Sequence, residues 1–543
     1  MAYTPSPENQ TYSTHRIPLA QPIRLRVGNN NWVIDATDSG FQGQDAGMIN
    51  ILPVKYPGSE EAYGLTRPSI EGVAISSTET GLVRGMYVWE KTLGTVYYFV
   101  VCGVKVYTST DAETWTHVDT LLTSVTTPVR FSEFISATNV KSLILVDGVE
   151  GYVYTTNAAG TKITDVDFPT PHIAFPVFLN GRLYLAKSET GDIYNSALND
   201  PAAWSAGDFI GTEVYADDIQ ALIKLDNYLL AIGTQSCEFF HDAANAIGSP
   251  LARNEGLMLA FGTQFPNSIA VNKNVAVFLA NTSDGQAVFK VIESGRARNI
   301  ESSSIVPMMN RMMNNPDPDY QFIGRGCRGM FFRHAGELYY GFMFNGVRNG
   351  IYQQCGANLF YAFSFNANMW TELQFGEDLD REVRYVLPVK FASYNTTNRL
   401  TCYVSGNVDT DGRAYFGTFQ DNSGNDSIPD VYDDDIPIYQ ETRTPNLDFD
   451  TSNRKAMHRL AIDIEVADSP TSPVDYSISW NDNDYAYASW TDARTLSSDT
   501  GGDWFPMLTQ LGTFRRRALR IVTTAGKILR WKAVEVDINK GQQ

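Results

Sequence analysis

Metal-binding and redox chemistry find little material in this sequence. Its 543 residues hold five cysteines, Cys102, Cys237, Cys327, Cys355 and Cys402, widely spaced and with no C-x-x-C pair. Isolated cysteines in strand-like surroundings give no zinc ribbon or thioredoxin-type motif, and they read as buried free thiols. The six histidines are equally scattered, with no pair at metal-ligand spacing. A G-x-S-x-G elbow, an H-E-x-x-H helix and a glycine-rich phosphate loop are missing too. No cofactor and no catalytic residue is therefore expected.

Positive charge is also short. Lysine and arginine number 42 against 61 acidic residues, a net charge of −19, the opposite of the balance with which a protein grips nucleic acid. A negative wall would instead repel phosphates and let a passing duplex slide without adhering. The longest apolar run, near residues 96–102, is far too short to span a bilayer. The opening MAYTPSPENQTYST lacks the basic-then-apolar pattern of a signal peptide. These features predict neither a membrane anchor nor a standard secretion route. Apolar residues, in contrast, make up 43% of the chain and aromatics 12%, ample for a packed core.

Most of that apolar content is arranged as a repeat. Residues 94–115, GTVYYFVVCGVKVYTSTDAETW, read as a β-hairpin: an apolar strand, a glycine turn and a second strand ending in Tyr107. The first strand recurs at 143–146, 183–186, 229–232, 275–279, 338–342 and 400–404, and the aromatic of the second at Tyr154, Tyr194, Phe240, Phe289, Tyr361 and Phe416. Starts are spaced by 46, 40, 46, 46, 63 and 62 residues, close to the ~40–50-residue period of four-stranded propeller blades. Short apolar pieces upstream, such as 86–89, 173–178 and 219–225, would supply the inner strands. The pattern predicts an all-β protein with a six- or seven-bladed propeller, ring closure being favoured because it protects strand edges. The two long intervals are assigned to a short helix at 305–313 (IVPMMNRMM) and to an extra aromatic segment, 361–370, with a turn near 395–398.

Around the propeller, at 67–425, lie three other segments. Residues 1–66 read as an extended N-terminal arm and an irregular, proline-punctuated connector. Residues 426–455 read as an acidic linker, including Asp430, Asp433, Asp434 and Asp435, a candidate acidic channel or interface. From 456 to 543 a C-terminal antiparallel sheet or sandwich is expected, because Leu460, Ile462 and Ile464, and then Tyr476, Ile478 and Trp480, alternate with polar residues. Three local patterns invite chemical readings. The turn NVDTDG at 407–412 imitates a calcium loop but has Thr418 where a bidentate Glu is required. The turn STDAETW at 109–115 approaches the structural turn of sialidase-like propellers without its glycine. Arg515, Arg516, Arg517 and Arg520 form a dense basic cluster, read either as a solvated strand edge or as a docking patch for an acidic partner.

Three stretches carry a family resemblance: GMINILPV at 47–54 with Tyr63 and the turn 67–72; VDYSISWNDND at 474–484; and 513–538 with its arginine cluster and the strand KILRWKAVEVDI. With them the sequence resembles the tail-nozzle, or packaged-DNA-stabilisation, proteins of short-tailed bacteriophages. The Asp-Gly-Gly form of the terminal turn is replaced here by Asn483–Asp484. The resemblance implies a non-enzymatic virion protein, made and assembled in the host cytoplasm and located in the tail. It further implies a hexameric ring of copies below the portal and adaptor ring, in contact with a tail fibre or spike. Genomic DNA would pass as cargo without sequence-specific binding, retained by a closed channel and released at ejection. The rival readings are a propeller that binds or cleaves host-surface glycans with paired carboxylates, and a cellular propeller scaffold.

Overall fold

The computed structural model describes residues 12–25, 44–76, 81, 83–120, 127–212, 215, 217–245, 247–281, 287–300, 305–306, 327–345, 358–374, 393–394, 400–407, 414–420, 432–433, 436–466, 473–483, 490–498 and 506–540. Within them the chain is almost entirely β, and the repeat resolves into seven blades. The hairpin strands anticipated from the spacing are the second and third strands of successive blades, from Thr95–Cys102 and Lys105–Ser109 to Leu400–Asn407 and Ala414–Gln420. Each blade begins with an inner strand. These are Val83–Thr92, Arg130–Ile135, Val177–Leu179, Ala221–Leu225, Ala270–Asn272, Arg328–His334 and Ser393–Tyr394. The second strand of the second blade, KSLILV, is buried at every position from Ser142 to Val146. A strand covered on both faces needs no polar alternation, which is why these runs are continuously apolar.

Blade-to-blade packing supplies the core. Phe99 and Val101 of the first blade meet Phe131, Leu143 and Tyr154 of the second. Ile144 and Val146 then meet Leu183 and Leu185 of the third. At the axis the inner strands approach so closely that glycine is required. A Cβ on Gly85 would stand 2.3 Å from the carbonyl oxygen of Val129 in the next blade, and one on Gly329 would stand 1.8 Å from that of Ser268.

The ring is closed by a strand taken from before the first blade. Ser69–Ala74 pairs antiparallel with Ala414–Gln420 and becomes the fourth strand of blade seven. Phe416 then packs with Ile75, Val83, Met86 and Val100, locking blade seven to blade one. Trp115, the end of the STDAETW turn, lies on Phe416 at 4.8 Å between ring centroids. In that turn Asp111 Oδ1 accepts the Ser109 hydroxyl and the amides of Glu113 and Thr114, so the turn serves to seat a tryptophan at the closure. Phe416→Ala is expected to cost about 3 kcal/mol and to lower the first thermal transition, read by calorimetry.

Some expectations require correction. The aromatic segment 361–370 is no insertion: Asn358–Ser364 and Met369–Leu373 are the third and fourth strands of blade six. Of the helix expected at 305–313, Ile305 and Val306 are helical, and the remainder lies outside the described residues. A 3-10 turn, Pro266–Ser268, also occurs. The NVDTDG turn lies outside the described residues after Asn407. Cys102, Cys237 and Cys327 are buried thiols outside any disulfide.

Both ends of the chain meet in one β-sandwich beside the propeller, here termed the platform. Ser13–Pro18 runs antiparallel to Leu529–Lys540, which also pairs with Lys455–Val466. The stretch read as an irregular connector contains the strands Gln44–Ile49, Ile51–Lys55 and Ala62–Thr66. Pro53 is tolerated because Ile51–Lys55 is a sheet edge with one paired neighbour. The presumed linker is likewise partly structural. Gln440–Arg443 is an interior strand between Gln44–Ile49 and Ala518–Thr523, with Gln440, Glu441 and Thr442 buried. The Glu441 carboxylate is neutralised by Arg443 of the same strand and by Arg520 of the neighbouring one, and a count of local charges does not reveal the second.

Candidate functional site

The junction between propeller and platform is built from one continuous sheet. The outer strand of blade six, Met369–Leu373, lies beside Gln44–Ile49, and the sheet runs on through Gln440–Arg443, Ala518–Thr523, Asp475–Asn481 and Arg494–Ser497. The second platform sheet covers it. Met48, Tyr476, Ile478 and Leu519 pack against Ile51, Leu460, Trp531, Val534 and Val536. Blade six is thus a blade and half a sandwich at once.

Polar side chains complete the weld. Arg67 is 1% exposed and uses its guanidinium three ways, donating to Asn50 Oδ1 (2.9 Å), the Pro68 carbonyl (2.8 Å) and the Gln374 carbonyl (2.9 Å). Asn50 sits at φ +59° and donates to the Tyr439 carbonyl at 2.7 Å, tying blade six, the entry segment and the former linker together. Thr66 donates to Gln440 Oε1 (2.7 Å), which also accepts the Trp531 indole N–H at 2.9 Å. From blade six, Tyr339 donates to the Pro53 carbonyl (3.1 Å), and Glu337 accepts the Lys55 amide (3.0 Å). Buried polar groups must be satisfied or they destabilise the fold; here Arg67, Tyr339 and Glu337 find partners across the junction. Local sequence gave little sign of these residues, since the partners that cross the junction are hundreds of positions away.

The arginine cluster proves to be mainly internal. It does not lie on a continuous strand, because the backbone bends at Arg515–Arg516 between Thr513–Phe514 and Ala518–Thr523. Arg517 is 1% exposed. It makes a bidentate pair with Asp482 (2.8 Å to each oxygen), donates to the Leu511 carbonyl (2.8 Å), and lies over Phe514 and Trp480. Two of the stretches that carry the family resemblance, 474–484 and 513–538, are therefore joined by this pair. Arg520 donates to Glu441 Oε2 at 2.9 Å, and Arg443 bonds the other oxygen of the same carboxylate. Burial alone would raise the Glu441 pKa, but Arg443 and Arg520 outweigh it and hold the carboxyl down at about 2. The docking reading is thus corrected for Arg517 and Arg520, whose partners are in their own chain. Arg515 and Arg516 are exposed. Of the acidic candidates, Asp433 lies in the two-residue strand Tyr432–Asp433, and Asp430, Asp434 and Asp435 lie outside the described residues.

On the propeller axis a cavity of about 540 Å³ is lined by the inner strands of blades one to six. That is the size of a small-molecule site, far too small for a DNA duplex. Arg130 crosses it. From the start of blade two its Nη2 reaches Asn267, ahead of blade five, at 3.0 Å, and its guanidinium lies 3.8 Å from the centre of the Phe175 ring. Among the described residues no group of three or more potential metal ligands occurs.

Two solved structures match the chain at low identity and low TM-score. Virginiamycin B lyase from Staphylococcus aureus is 12% identical with a TM-score of 0.37, over 64% of this chain and 98% of that one. The Pan2 WD40 domain from Neurospora crassa is 9% identical with a TM-score of 0.37, over 65% of this chain and 95% of that one. No curated protein matches significantly. The family described as "Bacteriophage P22 Gp10, beta-propeller", a phage stabilisation family, matches residues 37–315. The match takes in the platform strands from Gln44 to Thr66, the closing strand and blades one to five. It covers just over half of the sequence, and the chain accordingly belongs to the phage tail-stabilisation family of P22 Gp10, as a structural protein of the virion tail and not an enzyme.

Proposed function

We propose that this protein is the nozzle subunit of a short phage tail. Six copies form a ring below the portal and adaptor, close the DNA channel around the packaged genome, and conduct DNA at ejection. The observation that carries this reading is the weld of blade six into the platform: a rigid wedge with both chain ends in its base suits a load-bearing ring. Arg130 across the propeller axis argues that the DNA channel lies between copies, beside the propellers. The net charge of −19 suits a conduit that a polyanion must leave quickly. Exposed Arg515 and Arg516, and the acidic stretch with Asp430, Asp433, Asp434 and Asp435, are the proposed contacts to neighbouring copies, to the adaptor, or to a fibre or spike.

Particles assembled without this protein are expected to package DNA and then lose it. The genome should become accessible to added nuclease, and supplying the purified protein should restore protection. Particles that keep a nuclease-resistant genome in its absence would refute a retaining role.

A further inference from the structure

We propose that one face of the propeller is a lipid-contacting surface, which rests aliphatic turn tips among the headgroups and outer acyl carbons of a bilayer. Four large aliphatic side chains stand in water at that face: Leu93 (89% exposed), Val140 (56%), Leu198 (56%) and Ile247 (92%). They come from four successive blades. Leu93 and Val140 occupy the turns between the first and second strands of blades one and two, and Leu198 and Ile247 the turns between the third and fourth strands of blades three and four. In an antiparallel blade those two kinds of turn lie at the same end, and successive inner strands of a propeller run in one direction. Bonds between blades show the arrangement directly. Lys91, beside the first turn of blade one, donates to the Thr155 carbonyl at the last turn of blade two, and Asn180 of blade three donates to Asp242 of blade four at 2.8 Å.

The turns that carry these tips are braced. The Val140 amide donates to the Ser136 hydroxyl, and its carbonyl accepts the Ser136 amide. Asn199, next to Leu198, donates its amide to the Gly181 carbonyl, and Asn245 donates to the carbonyls of Ser249 and Leu251 on either side of the Ile247 turn's return. A braced turn that keeps an aliphatic side chain in water gains nothing for the fold, because burial is what stabilises such a group. Single exposed apolar residues are ordinary; four at one end of consecutive blades form a pattern. Charge favours a bilayer as the occupant. In a chain of net charge −19, the turns at 93–94, 136–140, 198–199 and 243–250 hold no acidic residue, and Lys91 and Lys141 flank the first two. Asp111, Glu113 and Asp226 occupy other turns of this end. At the opposite end the exposed Val149 and Val166 stand instead among Asp147, Glu150, Asp165 and Asp167, a setting that headgroup phosphates repel. A protein contact would centre on Tyr, Trp or Arg. Separate Leu, Val and Ile tips on Gly, Asn, Thr and Ala turns bury one by one among lipids, as a resting contact and not an anchor.

The test is co-flotation of the full-length chain with phosphatidylcholine vesicles. Half of the protein should float at about 1 mM lipid, weaker than the binding given by a single acyl chain, and raising the salt to about 0.5 M should not release it, because the contact is apolar. The double substitution Leu93→Ser with Ile247→Ser should weaken flotation about tenfold or more. Both side chains are almost fully exposed, so the variant keeps its fold. Val166→Ser, at the opposite end, should change nothing. No flotation at about 10 mM lipid, equal flotation by the double variant, or release by salt would overturn the proposal. So would sedimentation velocity without lipid in which the wild type self-associates and the double variant does not, since that assigns the face to a protein contact. Nuclease protection of the packaged genome reads a different property, so the two results fail independently.

Discussion

Arg517→Ala should destabilise the platform by about 3–5 kcal/mol, the cost of breaking a buried pair from one side. The substitution strands the Leu511 carbonyl, releases Asp482, and empties the space over Phe514 and Trp480 that the guanidinium fills. Denaturant unfolding followed by tryptophan fluorescence reads the effect, because Trp480 and Trp531 both lie in this sandwich. Arg517→Lys should recover little, since an ammonium cannot reproduce the bidentate fork. A change below about 1 kcal/mol would mean that the pair behaves as a surface ion pair and that the sandwich does not depend on it.

The second large effect is one of pH. Glu441 is fully buried between Arg443 and Arg520, and its carboxyl is held at about 2 in the folded protein, against 4.5 for the unperturbed group. A depressed folded-state pKa contributes stability that is complete above about pH 4.5 and is lost as the pH falls toward 2. The shift corresponds to roughly 3 kcal/mol. Glu441→Gln should therefore be destabilised by a similar amount at pH 7 and should show a flatter stability profile than the wild type between pH 5 and 2.5, the two curves converging at the acid end. Parallel curves across that range would show that another group governs the acid transition.

Both of these residues stood in plain sight in the sequence, but their roles did not. The blades were legible because a blade is local: its hairpin strands follow one another within about 50 residues, and continuous apolar runs mark strands buried on both faces. The blade count was ambiguous for a physical reason. The last blade borrows its outer strand, Ser69–Ala74, from the far end of the ring, so no local fourth strand follows Ala414–Gln420. The platform was harder still. Its strands come from the two parts of the chain that flank the propeller, and Glu441 reads as one more charge in an acidic stretch until Arg520 is placed beside it. Arg515 and Arg517, which belong to one basic cluster in the sequence, are separated by a bend that turns Arg517 inward and leaves Arg515 exposed.

These pieces support one mechanical account. The closing strand and Phe416 make the disc a single body, and the shared sheet of blade six fixes that body to a sandwich holding both ends of the chain. Domains joined by a linker drift relative to one another by default; domains that share a sheet and exchange buried hydrogen bonds do not. The measurement that tests this account most directly is an electron cryo-microscopy map of the intact tail. It should show this chain as a closed ring of copies, each propeller keeping the same angle to its platform, with DNA density on the ring axis and none through a propeller. A tail in which the propellers swing freely, or in which DNA threads a propeller's own axis, would contradict it.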